Sequence, residues 1–136
     1  MRAVQNFILL TLVVIGTSVV AQSPSPFVGT WTVTWEGQSK GRGAIQQARD
    51  FEAELIIEPS GGSWKTFGAT RSTDACAGKE VAVVIDKQTD NEIDLRLKFS
   101  EVASGCNDVR MRLKRVDDKT LTGIRGKDTE VTAKKK

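Results

Sequence analysis

Phe27-Val28-Gly29-Thr30-Trp31-Thr32-Val33-Thr34-Trp35-Glu36 is the stretch on which the reading of the chain turns. Phe27, Gly29, Trp31, Val33 and Trp35 fall on one face of an extended segment, and Val28, Thr30, Thr32 and Thr34 fall on the other. A period of two in aromatic and β-branched residues marks a strand with one face in a core. The same alternation recurs downstream. Phe51, Ala53, Leu55 and Ile57 alternate with Glu52, Glu54 and Glu58, interrupted only by Ile56. Ile93, Leu95, Leu97 and Phe99 alternate with Asp94, Arg96 and Lys98, and Val109, Met111 and Leu113 with Arg110, Arg112 and Lys114. Shorter strands are expected at 63–67, 80–86, 120–125 and 129–133. In the first of these Trp64 and Phe67 are out of phase, which predicts a bulge or an early end. In the run 120–125 the apolar residues are Leu121 and Ile124. Residues 44–49 would form at most one or two helical turns. About eight strands separated by Gly, Pro, Asn and Asp turns make an all-β chain.

The lengths of the connections choose between all-β topologies. Residues 37–50, 68–79 and 100–106 are long or irregular, whereas the second, fourth and sixth connections are tight. In an up-and-down meander all odd connections lie at one end, so the long loops would share a rim and the short turns would close the other end. The expectation is a single eight-stranded antiparallel up-and-down β-barrel, with a β-sandwich as runner-up, since Greek-key order does not predict this alternation. Such a barrel is just wide enough to be filled by its own side chains.

The ends of the chain read as processing and tail. Arg2 precedes an apolar run from Phe7 to Val20, and Val19-Val20-Ala21 offers small residues for cleavage after Ala21. The run is shorter than the roughly 20 residues a membrane-spanning helix needs, so it reads as a removed signal peptide, 1–21, and the mature chain as periplasmic or extracellular with no membrane span. Residues 22–26, with Pro24 and Pro26, form an extended lead-in. The domain is 27–133, and Lys134, Lys135 and Lys136 form a basic tail. These three lysines more than account for the net positive charge left once Arg2 is removed; the formal net charge of the full chain is +3. No interleaving of basic and aromatic residues points to nucleic acid. A monomer is expected.

Composition narrows the chemistry. The chain has no His and no Tyr, and its two cysteines, Cys76 and Cys106, are read as one disulfide of an exported protein. Closing a loop of that length stabilises by about 3 kcal/mol in the chain-entropy picture. Neither Ser-His nor Cys-His catalysis nor a His-based zinc site can be assembled. Asp117-Asp118 sits in a turn, and Glu52 and Glu54 lie on a wet strand face, where nothing raises a carboxyl pKa for general acid work. No catalytic residue, metal ligand or cofactor is expected. Arg96, Lys98, Arg110, Arg112 and Lys114 on two neighbouring strands would form a basic outer panel, either solvated or meeting an anionic partner.

Gly29-Thr30-Trp31 at the start of the first strand resembles the Gly-x-Trp signature of the calycin group, which includes lipocalins, avidins and small secreted inhibitors of bacterial metalloproteases. The resemblance implies that Trp31 packs over the closed end of the barrel under a basic side chain from near the last strand, here Lys134. Biotin binding of the avidin kind is not expected, since there is no Tyr and all three Trp lie at or before Trp64. Two functions follow. In the first, Trp31, Trp35, Trp64 and Phe99 line a pocket for a small apolar ligand, its mouth guarded by residues 37–50. In the second, the core is solid and the chain is a protein-binding module, such as a protease inhibitor acting through 22–26 or the rim loops.

Overall fold

The computed structural model describes residues 23–36, 50–67, 76 and 78–136. The expected leader, most of the first long connection and most of the second lie outside the described residues. Eight strands are present: β1 (Gly29–Glu36), β2 (Asp50–Glu58), β3 (Gly61–Phe67), β4 (Glu80–Gln88), β5 (Glu92–Leu97), β6 (Val109–Asp117), β7 (Thr120–Arg125) and β8 (Thr129–Lys135). Each pairs antiparallel with the next, and β1 pairs with β8, so the sheet closes into an up-and-down barrel. The one helical element among the described residues is a 3₁₀ turn, Phe99–Glu101.

Alternation fills the interior. Trp31 and Val33, Ala53 and Leu55, Trp64, Val81 and Val83, Leu95 and Leu97, Met111 and Leu113, Leu121, and Val131 and Ala133 face inward and are buried. Two bulky indoles share the bore with the small residues Ala53 and Ala133. Gly62 and Gly123 serve close backbone approach, since a Cβ would lie 1.9 Å from the Ile56 carbonyl oxygen at the first and 1.8 Å from the Arg112 carbonyl oxygen at the second.

The barrel is shut at the end carrying the short turns. Phe27, ahead of β1, is fully buried there, and its carbonyl accepts the Trp31 Nε1–H at 2.8 Å. The Lys135 ammonium lies 5.2 Å from the Trp31 ring centroid. Lys135 takes this place rather than the expected Lys134 because β8 keeps the inward parity of Val131 and Ala133, whereas Lys134 points outward and donates to Thr120 Oγ1. The Gly of the Gly29-Thr30-Trp31 motif is explained by the same contact. Gly29 has φ +142°, and a Cβ there would come within 2.7 Å of Lys135 Cε. The last strand thus runs past its expected end at Ala133, and Lys136 N–H still donates to the Thr30 carbonyl.

Four further strands differ from expectation. β3 pairs without a register break through Phe67. Trp64 is inward and Phe67 is simply outward, 39% exposed. On β7 the inward residues are Leu121, Gly123 and Arg125, so Ile124 faces out at 38% exposure. β4 and β6 each run longer than expected and carry a register shift, at Ile85/Lys87 and Arg115/Asp117.

Candidate functional site at the barrel mouth

The four aromatic residues expected to line one pocket separate into three places. Trp31 plugs the closed end, and four residues of strand, about 13 Å, divide it from Trp35. Phe99 is buried on the 3₁₀ turn after β5, at the loop-bearing rim, where it belongs to the same core cluster as Cys106, with Val102 and Val109 packed against it. Cys76 and Cys106 form the disulfide, with Cα atoms 5.8 Å apart. Two connections separated by the β4–β5 hairpin therefore lean together instead of standing two strand spacings apart. Asp108 braces the turn from below, accepting from Lys98 Nζ at 2.5 Å, Ser100 Oγ at 2.6 Å and Ser100 N–H at 3.1 Å. Those donors hold its carboxyl down at about 2.

Trp35 and Trp64 do come together, and two further residues join them. Trp35 stacks on Phe51 with centroids 5.7 Å apart and planes 13° apart, and on Trp64 at 5.7 Å and 29°. Exposure falls along the stack: Phe51 is 37% exposed, Trp35 is half-buried and Trp64 is fully buried, its Nε1–H donated to Thr66 Oγ1. The ladder leads from solvent into the bore. The fourth member is Arg125, whose guanidinium carbon lies 5.2 Å from the Trp35 centroid and 5.6 Å from that of Trp64. Strands seven and three face each other in an eight-stranded ring, so Arg125 crosses the bore to reach Trp64 and forms a floor over the filled core.

The walls are open beside this cluster. Pairing of β1 with β8 stops at Thr34↔Thr132, although β1 continues to Glu36 and β8 begins at Thr129. Beside this unpaired stretch lies an open depression of about 600 Å³, lined mainly on the outer wall by Thr34, Glu36, Glu130 and Thr132 together with Asp128 and Thr129, and reached from the mouth cluster by Trp35.

Arg125 had no place in the sequence reading because Ile124 drew the apolar face of its strand to the wrong parity. The alternation Leu121, Gly123, Arg125 was the available signal. The expected basic outer panel is largely neutralised: Arg96 pairs with Asp86, Lys98 with Asp108, and Arg112 with Glu92 and Asp94. The hydrogen bond from Arg112 lowers the Asp94 pKa. Asp117 accepts the Lys119 N–H as a turn residue, which lowers its pKa, the opposite of what a general acid needs. No group of side chains suited to holding a metal ion occurs among the described residues, nor is any helix among them long and apolar enough to cross a membrane. Comparison of the chain with protein-family models, with curated proteins and with solved structures brings no match.

Proposed function

We propose that the protein is an exported, non-catalytic, lipocalin-like carrier that takes a small apolar ligand at the mouth of its barrel. The observation that carries this reading is the ladder Phe51, Trp35, Trp64, which presents stacked aromatic faces from solvent to core at the loop-bearing rim. Half-buried aromatic surface next to an open depression is the usual wall of a small-molecule site. The bound ligand lies across Trp35 and Phe51, above the core and not within it. The leader pattern of residues 1–21 and the Cys76–Cys106 disulfide support export. The position of Trp31 beneath a lysine at the closed end supports kinship with the calycin group. Closure of the sheet leaves only the short unpaired ends of β1 and β8 as an edge among the described residues, which supports a monomer.

The alternative, a protein-binding module acting through 22–26, asks that segment to be free to reach a partner. Ser25 is instead tied to the barrel, accepting from Phe27 N–H at 3.3 Å and from the Gln88 amide, while its carbonyl accepts from Val28 N–H at 3.1 Å.

Titration with the neutral fluorophore N-phenyl-1-naphthylamine tests the carrier reading. Saturable one-to-one binding at micromolar probe with quenching of tryptophan emission is expected, and Trp35→Ala should abolish it while the fold remains. Absence of a saturable change with this probe and with its sulfonated analogue refutes the reading.

A further inference from the structure

Among the described residues, the charge at the mouth has no counter-charge. Arg125 makes no ion pair among the described residues, and its Nε is buried without a hydrogen-bond partner. Glu36 and Glu130, of outward parity, and the turn residue Asp128 leave the guanidinium uncompensated. Burial alone lowers the pKa of this group, with no carboxylate opposing it. Arg125 as a whole is partly buried, and withdrawing a cation from water costs free energy unless it is paired. Contacts with Trp35 and Trp64 offset part of that cost through their ring faces, but rings do not accept the five N–H groups that a guanidinium presents in its plane. The chain keeps elsewhere the pairings it denies here, since Arg96 and Arg112 on the outer wall both meet aspartates.

We propose that Arg125 is the anchor for an anionic head, so that the ligand class of the barrel is an organic anion, a carboxylate or sulfonate on a flat apolar frame. The head takes the guanidinium edge as a two-point hydrogen-bonded pair, and the frame lies on Trp35 and Phe51. Arginine suits this use because its planar fork matches such oxyanions while its faces stack on aromatic rings. The proposal rests on the carrier reading and adds the charge class of the ligand.

The test compares two probes with one aromatic frame: N-phenyl-1-naphthylamine, which is neutral, and 1-anilinonaphthalene-8-sulfonate. Both are titrated into the mature chain and into Arg125→Met, Arg110→Gln and Trp35→Ala. The sulfonate should bind at least about tenfold more tightly than the neutral probe, which corresponds to about 1.4 kcal/mol. Arg125→Met should remove that advantage and leave the neutral probe unchanged. Arg110→Gln, on the exposed outer wall, should alter neither. If Arg125→Met does not fold, the wild-type ratio decides through its salt dependence. An advantage that persists from about 0.05 to 0.3 M salt belongs to a partly buried pair, and one that collapses over that range belongs to the surface and overturns the proposal. Equal affinity for the two probes, weakened alike by Trp35→Ala, overturns the anion assignment and leaves the carrier reading standing. Failure of both probes to bind removes both.

Discussion

Phe27→Ala should be the most damaging single truncation outside the strands, although Phe27 lies two residues before β1 and in a segment that composition alone marks as a lead-in. Its ring is fully buried in the same cluster as Trp31, Leu55 and Leu121. Removing a buried phenylalanine side chain costs about 3–5 kcal/mol, the transfer term and the cavity together. The upper half of that range applies here. Trp31 fixes the cavity wall by its 2.8 Å bond to the Phe27 carbonyl, and Lys135 is braced across Trp31, so the neighbours have little freedom to collapse inward. A domain of this size stable by about 5–15 kcal/mol loses a large part of its margin. Urea unfolding followed by tryptophan emission reads the change as a shift of midpoint at constant slope. Replacing residues 23–25 by glycines, by contrast, removes the two hydrogen bonds accepted by Ser25 Oγ, each worth about 1 kcal/mol, and leaves the Ser25 carbonyl bond to Val28 N–H in place. The plug argument is refuted by a Phe27→Ala loss below about 1 kcal/mol, or by a loss no larger than that of the glycine replacement.

The other expectations concern the two ends of the barrel. Gly29→Ala combines an unfavourable φ with a clash against Lys135, and should cost about 1–3 kcal/mol in urea unfolding; pairing it with Lys135→Ala should return only the part due to the clash. Reduction of Cys76–Cys106 should lower stability by about 2–4 kcal/mol, and identical thermal midpoints with and without reductant would count against the bridge. Asp108 has its folded pKa depressed to about 2 by Lys98 and Ser100, so its contribution is complete above the ordinary carboxylate range and is lost as pH falls from about 4 to about 2. Asp108→Asn should flatten that stretch of the acid stability profile, and an unchanged profile would refute the assignment. Trp31→Phe should lower stability by about 1–3 kcal/mol through the lost indole hydrogen bond while leaving probe affinity within about twofold; loss of binding in a folded variant would show that the ligand reaches the core.

The barrel was legible because closure asks every strand for one inward face at a period of two; β1, β2, β5 and β6 show it outright, and the shorter segments between and after them supply the rest of the count. Loop lengths then gave the order, since only a meander gathers the long connections at one rim. The finer contacts were hidden for separate physical reasons. Phe67 and Ile124 are apolar residues on a wet face, which costs little and carries no signal of direction. Whether Lys134 or Lys135 covers Trp31 is a matter of parity in the last strand, settled by Ala133 pairing with Val33. The Cys76–Cys106 bridge was legible from the cysteine count, but the approach of its Cα atoms to 5.8 Å was not, since neighbouring strands alone would leave the two connections about 10 Å apart. Arg125 was the hardest to find, because a reader of alternation assigns a cation to the outer face by default.

That same default explains why the position is informative. Interior sites of a small barrel are filled by apolar side chains because each contributes burial and none carries an unmet donor. Trp31, Val33, Ala53, Leu55, Trp64, Leu113 and Leu121 follow that rule without exception, and they fill the bore up to Trp64. One step above them the rule is broken by a guanidinium lying against the two most polarisable rings available, with its Nε–H unmet. A substitution of Arg125 by leucine or methionine would complete the core by the same logic that built the rest of it. The fold therefore gives no reason for a cation at this height in the bore. A ligand that lies on Trp35 and brings its own negative charge supplies one, and the filled core beneath limits that ligand to the depth between Trp64 and the rim.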